Sequence, residues 1–140
     1  MPPFGAESMA LDPDALLGLG VDVRPGVVTF VTALPGDAEL DGFGDVIACI
    51  REPEGMSLLV PLTSQRERDV RFRDCFRGRL LTLIAATPLD GVGLTAAVAS
   101  RLAAAGVPCN MIAGHHHDHL VVPDDDLGRV LSVLVPHESR

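Results

Sequence analysis

A chain of 140 residues in which 47% of the side chains are hydrophobic can bury one substantial core. Its formal net charge of −8, from 11 basic and 19 acidic residues, opposes binding to phosphate backbones by counterion release, so nucleic acid is not an expected partner. Cys49, Cys75 and Cys109 are odd in number and form no C-x-x-C pair, which argues against a disulfide framework and a thiolate metal site.

The N-terminal "MPPFGAESMALDPDALL" has no basic region followed by an apolar stretch, and no run reaches the roughly 20 apolar residues a spanning helix needs. A cytoplasmic protein without a membrane partner is expected. Residues 26–34, "GVVTFVTAL", are β-branched and aromatic and run into the turn signal Pro35-Gly36-Asp37, which predicts a strand. The apolar runs "DVIACI" (45–50) and "MSLLVPL" (56–62) are joined by "REPEG", a connection of hairpin length, and should pair antiparallel. A short helix is predicted from Ser64 to about Val70, with Ser64 as its cap and Glu67 in capping-box position. The Arg-rich "QRERDVRFRDCFRGR" is interrupted by Glu67, Asp69 and Asp74 and reads as a solvated, salt-bridged face.

In the second half, "RLLTLIAAT" (79–87) predicts a strand, and "TAAVASRLAAAG" predicts a helix with Leu94, Ala97, Val98, Leu102 and Ala105 on one face. Gly106 and Pro108 should stop it. "VPCNMIAG" and "DHLVVP" read as two strands, and "DDDLGRVLSVLVP" as an amphipathic helix with an acidic start and Leu127, Val130, Leu131 and Leu134 on its inner face. Strand, helix, strand, strand, helix is a split βαβ arrangement: an α+β, ferredoxin-like fold with helices on one face of an antiparallel sheet. The first half looks like an abridged copy. Halves of this size bury only about 60% of their unfolded surface, so they should pack on each other.

Four histidines and an aspartate crowd residues 115–119 of "AGHHHDHLVVP". On a straight strand His115, His117 and His119 would share one face, spread by roughly 6–7 Å between neighbours, which is wide for a tetrahedral metal site. Two readings stand: a metal site using His117 and His119, or the polar corner of a hairpin. No nucleophile elbow, H-E-x-x-H or P-loop motif is present, so no catalytic residues are assigned and no enzymatic activity is expected. "GVGLTA" matches a G-x-G-x-x-A pattern at a helix start, where backbone N–H groups can hold a carboxylate; a tight turn needed for packing is the equal alternative.

The block "LDGVGLTAAVASRLAAAGVPCNMIAGHHHDHLVVP", with "IREPEGMSLLV" in the first half, resembles a bacterial family of tandem ACT domains. ACT domains are βαββαβ regulatory modules that bind amino acids and other small ligands at interfaces between modules. The resemblance implies modules at residues 1–76 and 77–140. The sequence departs from the pattern where "GDAELDGFG" replaces a full helix and where the chain ends soon after Pro136 without a last strand, for which "LGLGVDVRP" (17–25) is a candidate. His117, Asp118 and His119 fit the family pattern, whereas His115 and His116 stand where aromatic residues are expected.

Together these features predict a small-molecule-binding regulatory or sensor protein without a cofactor. The ligand, an amino acid, would place its carboxylate against the helix start at Asp90, Gly91, Val92, Gly93 and Leu94, with Asn110 and Ile112 on the adjacent strand. Glu52, Glu54 or Asp118 would meet its ammonium group, and Arg51 is a further carboxylate partner. The small outer face of the helix, Ala96, Ala99, Ser100, Ala103 and Ala104, points to a homodimer.

Overall fold

The computed structural model describes residues 19–34, 44–84 and 93–135. The stretches 35–43 and 85–92, with most of "GDAELDGFG" and Asp90, Gly91 and Val92, lie outside the described residues. In chain order the elements are β1 (Gly20–Val23), β2 (Val28–Ala33), β3 (Ala48–Glu52), β4 (Gly55–Pro61), α1 (Ser64–Glu67), a 3-10 turn (Val70–Phe72), β5 (Gly78–Ile84), α2 (Leu94–Ala104), β6 (Asn110–Ala113), β7 (Asp118–Pro123), a second 3-10 turn (Asp124–Asp126) and α3 (Leu127–Leu134).

The seven strands form one antiparallel sheet in the order β3-β4-β2-β5-β7-β6, with β1 also paired to β5. Strand β5 therefore meets three neighbours. Its Leu81–Ile84 stretch pairs with β1 from Val23 to Gly20, its Gly78 faces Val28 of β2, and its other edge pairs with β7. The order β1-β5-β7-β6, with α2 and α3 on one face, is the ferredoxin-like arrangement, and β1 stands where a fourth strand closes it. The candidate segment 17–25 thus contains β1, the strand in that position.

Alternation along the strands divides the side chains between two faces. Leu81, Leu83, Leu120 and Val122 point toward the helices and pack with Leu94, Val98 and Leu102 of α2 and Val130 and Leu134 of α3. The spacing i, i+4, i+8 along α2 places its three buried side chains on one stripe. Gly106, at φ +72°, ends the helix in a left-handed turn open to glycine, as the sequence predicts. A second cluster, Ala33, Leu58, Val60 and Phe72, lies under the 3-10 turn of the first half. Between them a third, Val28 and Leu59 with Leu80 and Val121, joins the helix-free faces of the two halves across the curled sheet.

One local expectation is corrected and one alternative is decided. The cap of α1 is Thr63, whose Oγ1 accepts from the Arg66 backbone N–H at 3.3 Å; Ser64 is already helical, and α1 ends at Glu67. With the cap one residue earlier, Glu67 falls outside the capping-box position and binds Arg77 at 2.7 Å instead. The histidine segment forms the polar hairpin corner that was one of its two readings, not a straight strand. The Gly114 N–H donates to the His117 carbonyl at 2.9 Å, closing a turn that carries His115 and His116 at its tip, and the strand begins at Asp118. No helix among the described residues is long and apolar enough to cross a membrane.

Candidate functional site

The helix-free side of the sheet carries a groove of about 700 Å³, within the usual range for small-molecule sites. One wall is Ile47–Ile50 on and before β3, the other Met111–Gly114 of β6 and its turn, and the floor is Leu59, Leu80, Thr82 and His119. It exists because the sheet curls: β3 and β6 are opposite edges, and Ile47, Ala48 and Ile112 all pack against the shared cluster of Val28, Leu59, Leu80 and Val121.

Register places a polar row across the floor. Asp22 of β1 is opposite Thr82 of β5, Thr82 is opposite His119 of β7, and His119 is opposite Ile112 of β6. Thr82 Oγ1 and His119 Nδ1 are 2.8 Å apart and hydrogen-bonded, which fixes the imidazole. Its Nε2 makes no hydrogen bond among the described residues and lies beside Gly114, where an added Cβ would stand 3.1 Å away. Arg24, two residues after Asp22 on the same face, also lines the groove, and its backbone N–H donates to the Leu80 carbonyl at 2.9 Å.

The residues singled out from sequence are distributed as follows. Ile112 and His119 line the groove. Asn110 borders a neighbouring hollow of about 380 Å³ with Phe30, Ile50, Phe76 and Ile112. Gly93 and Leu94 start α2; Gly93 caps it without a side chain, and Leu94 is buried in the cluster on the helix-covered face. Arg51, Glu52 and Glu54 are exposed on the β3–β4 hairpin and do not line the groove; Glu52 accepts a hydrogen bond from Ser57 Oγ. Asp118 begins β7 opposite Ala113. His115 and His116 stack at 4.7 Å between ring centroids, and His117 and His119 stand 6.5 Å apart. Among the described residues, no three His, Cys, Asp or Glu side chains are placed to share a metal ion.

Asp22, Arg24 and Thr82 were not among the expected site residues. Their signal is period-two alternation: in "VDVR" the polar residues alternate with valines, and Thr82 interrupts the apolar run "LLTLI". What the sequence does not state is which strand lies beside which.

A chain with this topology is an α+β, ferredoxin-like domain, and its apolar groove with a few fixed polar groups has the character of small-molecule sites. Residues 77–135 match a family model described as an ACT domain. A solved structure from Vibrio cholerae, a protein of unknown function described as a possible transport protein, shares 30% identity over 82% of this chain and 86% of its own, with a TM-score of 0.72. The chain belongs to the family of that protein, with an ACT domain in its second half. An Agrobacterium tumefaciens protein has the same fold at 20% identity, over 83% of this chain and 86% of its own, with a TM-score of 0.59. Aspartokinase α and β subunits do so at 12% identity, over 82% of this chain and 94% of theirs, with a TM-score of 0.60. No curated protein sequence matches the chain significantly.

Proposed function

We propose that the protein is a regulatory amino-acid sensor built of two ACT modules that share one sheet, and that it binds its ligand in the groove between them without catalysing a reaction. The observation that carries this reading is the groove itself. Both halves contribute to its lining, and its apolar walls surround a short row of oriented polar groups. ACT domains generally bind amino acids in regulatory roles, and the order β3-β4-β2-β5 in the first half repeats the order β6-β7-β5-β1 in the second, with β5 serving both. A binding role is favoured over a hydrolytic one by the state of the His119 ring. It reaches the Thr82 hydroxyl as a base would, yet among the described residues no carboxylate holds its other nitrogen, as nucleophilic triads require.

ACT domains often dimerise, and Ala96, Ser100, Ala103 and Ala104 lie exposed on the outer side of α2. We assign that side to contact with a second copy. A dye-based thermal-shift screen of the twenty amino acids tests the central reading. A ligand at about 100 times its Kd adds about 2.7 kcal/mol of stability, a rise of several degrees in Tm. One amino acid, or a chemically related group of them, should give such a shift. A flat response across the panel at millimolar concentration would remove amino-acid sensing as the function.

A further inference from the structure

We infer that the groove selects free α-amino acids with an apolar side chain, holding the ammonium group on Asp22 and the carboxylate on Arg24. This rests on the groove being the ligand site. Elsewhere in the described residues, acids and arginines that come near each other pair: Asp45 with Arg66, Asp69 with Arg71, Glu67 with Arg77 and Asp124 with Arg79. Asp22 of β1 and Arg24 just after it line the same groove, and among the described residues neither side chain has a hydrogen bond or an ion pair, although the Arg24 charge also acts on Asp45 from a distance. At i and i+2 of extended chain their Cβ atoms are spaced about 6–7 Å apart, and the two side chains do not engage each other as Asp69 and Arg71 do. That spacing suits a ligand whose own opposite charges sit between them.

Each half of the pair excludes a ligand class. A 2-oxo acid would satisfy Arg24 and set an oxygen against the Asp22 carboxylate; a simple amine would satisfy Asp22 and leave Arg24 facing an alkyl chain. Only a zwitterion meets both. Beyond Asp22 and Arg24 the described lining carries no further carboxylate or guanidinium. Thr82 and His119 already bind each other, and the surfaces farther on are Ile47, Ala48, Ile50, Leu59, Ile112 and the Ala113-Gly114 backbone. A lysine or glutamate side chain would lose its hydration there without a counter-charge, whereas a branched aliphatic chain would gain from burial.

The test is isothermal titration calorimetry on the full chain with leucine, isoleucine, valine, lysine and glutamate, and with two truncated analogues of leucine, 3-methylbutylamine and 4-methyl-2-oxopentanoate. At least one of the three aliphatic amino acids should bind at least tenfold more tightly than lysine, glutamate or either analogue. Its Kd should rise at least tenfold in Asp22→Asn and in Arg24→Gln. Far-UV circular dichroism of both variants should be unchanged, since both side chains are exposed. Preference for a charged amino acid, or an aliphatic ligand whose Kd is unchanged in both variants, would overturn the inference while leaving amino-acid sensing intact. Absence of binding by any amino acid would overturn both.

Discussion

Gly55 sits where the β3–β4 hairpin turns back into the sheet, at φ +143°, and a Cβ built on it would stand 2.8 Å from the Ala33 carbonyl oxygen and 3.0 Å from Thr32 Cγ2. Two penalties therefore coincide. The conformation disfavours any side chain, and the nearest obstacle is backbone of the adjacent strand, which cannot swing aside. Gly106 differs: its φ is also positive, at +72°, but nothing lies within 4 Å of the added atom. Gly55→Ala should destabilise the fold by about 1–3 kcal/mol and Gly106→Ala by about 1 kcal/mol or less. Urea denaturation followed by far-UV circular dichroism checks the order; equal midpoints for the two variants would show that the Ala33 contact is not limiting. The glycine of "REPEG" is legible in sequence as a turn residue, but its close approach to β2 is not, because that strand is more than 20 residues away.

At the scale of elements, α1 is a single turn and far too short to persist alone. It is fastened from outside. The Arg66 guanidinium grips both oxygens of the Asp45 carboxylate at 2.7 Å, and one of its nitrogens also donates to the Pro61 carbonyl at 2.8 Å, tying the helix to the segment before β3 and to the end of β4. That fork, the largest influence on Asp45, holds its carboxyl below the usual carboxylate range. With a folded-state pKa below the unfolded one, the pair stabilises the fold at all pH values above the unfolded pKa near 4, and the contribution is lost as pH falls through the folded value. Asp45→Asn should accordingly lower the urea midpoint at pH 7 and approach the wild-type midpoint at pH 3. A gap that stays constant with pH would assign the loss to packing instead. Most of the elements were legible before the structure: the hairpin, the α2 stripe of Leu94, Val98 and Leu102, and the stop at Gly106 all follow from period and turn chemistry. The cap of α1 was not, because adjacent Thr63 and Ser64 offer near-equal caps, whereas the hairpin corner read for the histidines is the turn that the Gly114–His117 hydrogen bond closes. The groove was the least legible part, since Asp22, Thr82 and His119 come from three strands whose neighbours only the fold decides.

For the whole molecule, the arrangement around β5 decides whether the two halves can act separately. Strand β5 is paired on one edge to β7 and on the other to β1 and, at Gly78, to β2. The cluster of Val28, Leu59, Leu80 and Val121 draws its members from both halves, so neither can lose its fold without exposing apolar surface of the other. Each half alone has a size at which burial is marginal. One cooperative unfolding transition is therefore expected, and two core truncations far apart test it. Leu58 is 2% exposed in the cluster under the first 3-10 turn, and Leu102 is fully buried beneath α2. Leu58→Ala and Leu102→Ala should each destabilise by about 2–5 kcal/mol. Because the chain contains no Trp or Tyr, far-UV circular dichroism is the natural probe. Both variants should shift the same single urea transition without changing its slope, which reports the surface exposed on unfolding. A biphasic curve for Leu58→Ala, with the α2 and α3 signal surviving the first step, would show that the halves are separate folding units. In that case a ligand held between them would act by joining two independent modules; with a single transition, its binding energy is added to the stability of the entire sheet.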